Sequence, residues 1–145
     1  MRRNVTIQIN GKQKYQKGHE DQQELMTVGT YYERNGVFYV VYKECDSESS
    51  GLEGITTFLS VKDGVVGLNR QGAVDNKQDF KKGVLNRSIY TTSCGKLWLS
   101  VMPHKVEYDL TVRGGRISLE YDLFVDDNLV SYNELLISIK EDLPQ

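Results

Sequence analysis

Glycine-containing turns recur along the chain and leave only short segments between them, which restricts its fold more than any other feature. The turn signals are Asn10-Gly11, Asn35-Gly36, Asp63-Gly64, Cys94-Gly95, Gly114-Gly115 and Asp126-Asp127-Asn128. Between them, apolar and polar residues alternate with a period of two, which is typical of strands that are half buried. Because such turns supply the positive φ angles of tight hairpins, the pattern predicts successive antiparallel hairpins. We therefore expect an all-β protein.

The short connections favour one particular arrangement of these strands. About eight to ten strands in an up-and-down antiparallel meander are expected to close into a barrel, since closure leaves no unpaired edge strand. A two-sheet sandwich is the alternative. The 145 residues make one ordinary domain, residues 1–145. Barrels of this size either fill their interior with side chains or hold one small ligand. The function therefore depends on which residues point inward.

The hairpin EGITTFLSVKDGVVGLNRQG, residues 53–72, places a cation on an apolar face. With Asp63-Gly64 as its loop, Thr57 lies opposite Arg70, and Leu59 and Leu68 share their face. A strand bulge before Arg70 would instead turn it to solvent. A buried charge is costly unless it is compensated. The compensating group is either an internal carboxylate or strand-end carbonyl groups, or an anionic group of a bound molecule.

Two further hairpins contribute polar groups to the same interior. Their predicted loops are Cys94-Gly95 and Gly114-Gly115. Stepping outward from each loop by two residues gives the members of the inward face that can form hydrogen bonds, namely Ser88, Tyr90, Tyr108 and Tyr121. The opposite face of the second hairpin carries charged side chains, which we expect to meet water.

The last strand has two possible registers. A three-residue loop, with Asn128 in the left-handed region, directs Asn133 inward beside a row of aliphatic residues. A two-residue loop would instead send Glu134 inward, where it becomes a natural partner for Arg70. The first register buries more aliphatic surface and is preferred.

Charge and motif content argue against several classes of function. The 18 Lys and Arg residues against 20 Asp and Glu residues give a net charge of -2, so nothing favours binding to nucleic acid or to an anionic membrane. No apolar run is long enough for a spanning helix, and a cytoplasmic location is expected. We find no catalytic motif and no metal-ligand spacing, and we assign no catalytic residue, metal or cofactor. Cys45 and Cys94 are expected to be free thiols, and a disulfide between them is the alternative.

Several stretches of the sequence together resemble a known family. They are YYERNGVFYVVYKE, TTFLSVKDGVVGLNRQG, SIYTTSCGKLWLSV and GGRISLEYDL followed by VSYNELLISIKE. In this order they resemble the YwiB-like proteins, uncharacterised bacterial β-barrels of calycin (lipocalin-like) architecture. The more distinctive positions are Arg70, Gly72, Tyr90, Thr92, Gly95 and Leu97. The resemblance implies a barrel and no assigned reaction, and it does not extend to the connection QGAVDNKQDFKKG.

Three classes of function fit these observations. The first is binding of a small anionic or amphipathic ligand inside the barrel near Arg70, for which the candidate ligand-binding residues are Arg70, Thr57, Ser88, Tyr90, Tyr108, Tyr121 and Asn133. The second is an interaction module with a filled barrel, which forms a homodimer or binds a partner through Ile89 and Trp98 on the predicted outer face. An enzyme without a recognisable motif is the third.

Overall fold

Ten β-strands follow one another along residues 2–44 and 54–142, the residues that the computed structural model describes. The strands are β1 (Arg3–Tyr15), β2 (Glu20–Arg34), β3 (Val37–Glu44), β4 (Ile55–Lys62), β5 (Val65–Gly72), β6 (Val74–Lys81), β7 (Asn86–Thr92), β8 (Gly95–Thr111), β9 (Gly114–Val125) and β10 (Asn128–Glu141). Each strand pairs antiparallel with its neighbours in sequence, and β1 pairs with β10 to close a barrel. The predicted all-β closed meander is confirmed, and the sandwich is not formed.

The up-and-down path gives the barrel two distinct ends. The turns at 35–36, 63–64 and 112–113 lie at one end, which we call the packed end, while the turns at 72–73, 93–94 and 126–127 lie at the other, the cavity end. Buried aliphatic and aromatic side chains fill the interior toward the packed end, among them Val5, Ile7, Tyr31, Val40, Val61, Val66, Ile117 and Ile139. The described residues include no helix long and apolar enough to cross a membrane.

The hairpin of β4 and β5 has the predicted register. Asp63 and Gly64 form its two-residue turn with φ angles of 51° and 79°. Thr57 pairs with Arg70 in the sixth residue pair from the turn, and no bulge intervenes. Arg70 therefore lies on the inward face, as its spacing from the turn predicts.

Two predicted loops are displaced toward the N-terminus, one by a single residue and the other by two. The β7–β8 turn is Ser93-Cys94 rather than Cys94-Gly95, and the β8–β9 turn is Val112-Arg113 rather than Gly114-Gly115. Gly114 and Gly115 belong to β9, where a Cβ atom on either one would collide with a backbone carbonyl of a neighbouring strand. Glycine is therefore required there for close packing of strands, not for a turn. Moving a two-residue loop by one residue shifts the cross-strand pairing by two, so both displacements preserve the inward and outward faces.

Two other turn predictions are wrong in detail. Asn10-Gly11 lies within β1, and the β1–β2 turn comes later, with Gly18 at a φ of 89°. The β9–β10 turn contains two residues, Asp126 and Asp127, which both have positive φ, whereas Asn128 already pairs with Val125.

A β-bulge in β10 determines which face of the last strand points inward. The register with β9 shifts between Leu129 and Ser131, because the bulge inserts one extra residue. This shift offsets the short turn, so Asn133 is buried at 2% exposure. Glu134 lies across from Glu120 on the outer face. The preferred orientation of β10 is confirmed, although the loop from which it was predicted is wrong.

Candidate functional site

A cavity of about 330 Å³ lies inside the barrel toward the cavity end. Its apolar wall is formed by Ile9, Leu25, Leu68, Phe80, Leu99, Val101, Leu123 and Leu135. Its polar lining comes from Arg70, Asn76, Gln78, Tyr121 and Asn133, and Lys12, Gln13, Asp21, Gln23 and Glu134 also contribute atoms to it. The interior is thus neither completely filled nor uniformly apolar.

Three of the seven predicted ligand-binding residues line this cavity. Arg70 reaches it from β5, Tyr121 from β9 and Asn133 from β10. Tyr121 and Asn133 are directly opposite each other in the β9–β10 ladder. The inward faces predicted from separate hairpins therefore converge on one volume.

The other four predicted residues lie outside the cavity lining. Thr57 is fully buried beside Arg70, and Ser88 is part of a hydrogen-bonded group in the cavity wall. Tyr90 is partly buried opposite Leu97. Tyr108 lies at the packed end, where its hydroxyl accepts a hydrogen bond of 2.8 Å from the Gly64 N–H. The alternation of apolar residues predicted the inward face of Tyr108 correctly. It did not predict the height of Tyr108 along the barrel, which puts it far from the cavity.

The charge of Arg70 acts on Tyr121 inside the barrel. Burial raises the pKa of the Tyr121 hydroxyl, and the nearby Arg70 guanidinium partly opposes that shift. The Tyr121 ring also meets Phe80 edge to face, with ring centroids 4.9 Å apart. Tyr121 thus contacts an aromatic ring and lies within the field of a cation.

Asn76 and Gln78 are the site residues that sequence reasoning missed. Both are buried in β6, at 5% and 2% exposure, and both line the cavity. They fall in the connection QGAVDNKQDFKKG, to which the family resemblance did not extend. The signal was the alternation VDNKQDFK, in which charged residues take every outward position and the uncharged Asn76, Gln78 and Phe80 take the inward ones.

Two buried side-chain amides of the lining each have an atom that forms no hydrogen bond within the described part of the chain. These atoms are the Gln78 side-chain oxygen Oε1 and the Asn133 side-chain nitrogen Nδ2. The other atoms of these amides are engaged, since Gln78 Nε2 donates to the Leu99 carbonyl at 2.9 Å and Ser131 Oγ donates to Asn133 Oδ1 at 3.3 Å. The cavity therefore presents one acceptor and one donor that remain available.

The acidic residues near the cavity mouth are either paired or turned outward. Asp21 lies at the rim, where its carboxylate is 3.1 Å from His19 Nε2. Outside the barrel, His104 Nε2 lies 2.8 Å from Asp122 Oδ2. No group of three or more His, Cys, Asp or Glu side chains suited to hold a metal occurs in residues 2–44 and 54–142.

A carboxylate with a lowered pKa lies on the outer face of the barrel. Tyr132 donates a hydrogen bond of 2.6 Å to Glu120, which lowers the pKa of Glu120, with Lys105 adding to the effect. The same bond raises the pKa of Tyr132 to about 12. These groups stabilise one another in solvent and do not reach the cavity.

The predicted outer patch is formed by Ile89 and Trp98, which pair directly in the β7–β8 ladder. Their exposures are 47% and 39%. The Arg87 guanidinium covers part of the indole at 3.9 Å from the ring centroid, and two hydrogen bonds of 3.2 Å tie it to Asp127. The use of this patch in a homodimer or with another protein stays a prediction. Cys94 is an exposed free thiol, and Cys45 lies outside the described residues.

Comparison with known proteins identifies close relatives of the barrel. A family described as "Domain of unknown function (DUF1934)" matches residues 7–137. The "Uncharacterized beta-barrel protein YwiB" of Bacillus subtilis (strain 168) is 32% identical over 122 residues, which cover 83% of this chain and 82% of the relative. The crystal structure of the YwiB protein from Bacillus subtilis superposes with a TM-score of 0.87 at 26% identity, over 98% of this chain and 94% of that one.

Proposed function

The chain belongs to the DUF1934 family of YwiB-like β-barrels, and we propose that its barrel binds a small amphipathic molecule with an anionic head group. The supporting observation is the pair of unused polar atoms, Gln78 Oε1 and Asn133 Nδ2, that line an otherwise largely apolar cavity. A buried polar atom without a partner destabilises the fold by about 1–3 kcal/mol. A ligand that hydrogen-bonds to both atoms recovers this free energy.

The size of the cavity limits the class of ligand. Ligand pockets in proteins usually measure about 300–1,000 Å³, so a cavity of about 330 Å³ suits a molecule at the small end of that range. Leu99, Leu123 and Phe80 offer an apolar surface for a hydrocarbon or aromatic body. A folded macromolecule or a long chain lipid does not fit inside it.

The guanidinium of Arg70 determines the preferred head group. Arg70 brings a guanidinium to the cavity, and its field reaches the Tyr121 hydroxyl. Asn133 adds an available N–H donor nearby on β10. Guanidinium and amide donors together suit a carboxylate or a phosphate ester, since charge-assisted hydrogen bonds are the stronger ones. Gln78 Oε1 then accepts from a hydroxyl or amide group of the ligand.

Octanoate and octan-1-ol test this proposal, because they share a chain and differ in the charge of the head group. Isothermal titration calorimetry of the wild-type protein should give at least a tenfold lower Kd for octanoate, a difference of about 1.4 kcal/mol. Arg70→Gln should remove this preference. Arg116→Gln, which changes an exposed arginine of β9, should retain it.

Two results would contradict the proposal. One is equal binding, or no binding, of the two compounds to the wild-type protein. The other is an octanoate preference that survives in Arg70→Gln. If Arg70→Gln does not fold, Asn133→Leu provides the same comparison, since it removes the neighbouring donor without touching the charge. We expect Asn133→Leu to weaken octanoate binding more than octan-1-ol binding.

A further inference from the structure

The barrel wall is weakest between β6 and β7. Their ladder contains only the pairs Val74 with Thr92 and Asp75 with Thr91, both at the cavity end. Every other pair of neighbouring strands is joined over at least six residue pairs. We call the remaining stretch, residues 76–79 of β6 and 86–89 of β7, the seam.

Side chains close the seam where the backbone ladder is missing. Asn76 Nδ2 donates to Ser88 Oγ at 2.9 Å and to the Ile89 carbonyl at 3.2 Å. Gln78 Nε2 also donates to Ser88 Oγ. Further along, the Asp79 N–H donates to Asn86 Oδ1 at 3.1 Å. The Ser88 hydroxyl thus accepts hydrogen bonds from both side-chain amides, and these bonds join the two strands.

The cavity lies on one side of the seam, and a surface depression lies on the other. The depression is lined by Lys77, Ile89 and Thr91, together with Arg70 and Asn76. Arg70 and Asn76 also line the cavity. Only side chains therefore separate the solvent from the interior at this point.

From this geometry we infer that the seam is a side entrance, separate from the barrel mouth, through which a small molecule reaches the cavity, with the Asn76–Ser88 contact as its latch. The use of this entrance by a ligand rests on the proposed function. Opening it requires a few side-chain hydrogen bonds to break and side chains to rotate, whereas opening any other part of the wall requires a cooperative backbone ladder to separate. The same latch residues border the ligand, so a bound head group at Arg70 lies directly behind the entrance.

A cysteine inside the cavity tests this inference without any ligand. The background carries Cys45→Ser and Cys94→Ser, and Leu123→Cys supplies one thiol in the cavity lining. Labelling by methyl methanethiosulfonate, a small neutral reagent, is followed by mass spectrometry. Asn76→Leu removes the latch donors and should accelerate labelling about tenfold. Gln13→Leu alters a matched amide at the barrel mouth and should leave the rate unchanged.

The controls separate local opening from unfolding. A thiol at Ile117→Cys, in the packed interior, should label no faster when Asn76→Leu is added. Ser88→Ala serves as a second latch variant if Asn76→Leu does not fold. Acceleration by Gln13→Leu alone, or equal rates in all variants, would overturn the inference. Labelling is measured without octanoate. The labelling rates therefore test the entrance alone, and the calorimetry tests the ligand proposal alone.

Discussion

Phe80 and Tyr121 meet edge to face inside the barrel, with ring centroids 4.9 Å apart and 65° between the ring planes. Phe80 comes from β6 and Tyr121 from β9, so the contact spans the interior. Both rings pack on the buried apolar cluster, and both also line the cavity. This pair therefore forms the boundary between the packed half of the barrel and the half that is open to a ligand.

Truncation of Phe80 should be among the more destabilising single changes in the chain. Phe80 is 3% exposed, and replacing a buried Phe by Ala typically costs about 3–5 kcal/mol through lost burial and the cavity left behind. Urea unfolding of Phe80→Ala should show this loss. Phe58→Ala is the matched control, because Phe58 is 38% exposed and should cost less than about 1 kcal/mol. Equal losses in the two variants would contradict the boundary role.

Substitution by alanine should change the stability of the fold in opposite directions at Gly11 and at Gly29. A Cβ atom on Gly11 would lie 3.7 Å from Leu135 Cδ1, an ordinary contact at the cavity wall. A Cβ atom on Gly29 would collide with the Val41 carbonyl oxygen and come within 2.8 Å of Ile7 Cδ1. Gly11→Ala should therefore stabilise the protein by about 0.5–1 kcal/mol, because alanine loses less backbone entropy on folding.

Gly29→Ala should instead destabilise the fold, since a backbone carbonyl cannot move aside cheaply. Differential scanning calorimetry of both variants beside the wild-type protein makes the comparison. A melting temperature that falls in Gly11→Ala, or that rises in Gly29→Ala, would contradict the packing around these glycines.

The sequence predicts correctly those features that depend only on which alternate residues of a strand share a face. The Asp63-Gly64 turn gave the pairing of Thr57 with Arg70, because a two-residue turn with positive φ at both positions leaves one register. The two misplaced turns, wrong by one and by two residues, did not change the assignment of faces, since each error shifted the cross-strand pairing by an even number of residues. The inward orientation of residues such as Tyr121 was therefore predicted correctly, although their cross-strand partners were not.

Features that depend on contacts between distant strands were not predictable. Gly114 and Gly115 look like a turn in sequence, but the backbones of Ile139 and Asp109 are what exclude a side chain there. The bulge after Leu129 also leaves no local signal, and it reversed the consequence of the two-residue turn. The roles of Asn76 and Gln78 arise only because β6 and β7 diverge, which no single-strand pattern reports.

Replacing a polar pair of the cavity wall should stabilise the protein while it impairs binding. Asn133 Nδ2 is buried and forms no hydrogen bond within the described residues, and Asn133 Oδ1 accepts only from Ser131, at 3.3 Å. Asn133→Leu combined with Ser131→Ala removes both partners of that weak bond and the unused donor. Because exchanging both partners for apolar groups can be neutral or stabilising, we expect a gain of up to about 1 kcal/mol in urea unfolding.

The same double variant should bind octanoate at least tenfold more weakly in calorimetry. Asn133→Leu alone is the control, because it leaves Ser131 Oγ buried without its acceptor and should be less stable than the double variant. A double variant that loses more than about 2 kcal/mol would indicate that Asn133 has a structural role instead.

Tyr31 should make the stability of the packed end sensitive to alkaline pH. Its hydroxyl donates a hydrogen bond of 2.5 Å to the Thr111 carbonyl, and burial, with a smaller effect of Glu33, raises its pKa from 10.0 to about 12. Because the folded state holds the proton more tightly than the unfolded state, the stabilisation by Tyr31 is complete below pH 10 and is lost as the pH rises from 10 toward 12. Tyr31→Phe lacks both the bond and the titration, so it should be about 1 kcal/mol less stable than the wild-type protein at pH 8. Urea unfolding of the two proteins at pH 6, 8, 10 and 11 should give a constant difference at the two lower values and a shrinking one above pH 10. A difference that stays constant or widens up to pH 11 would contradict the raised pKa of Tyr31.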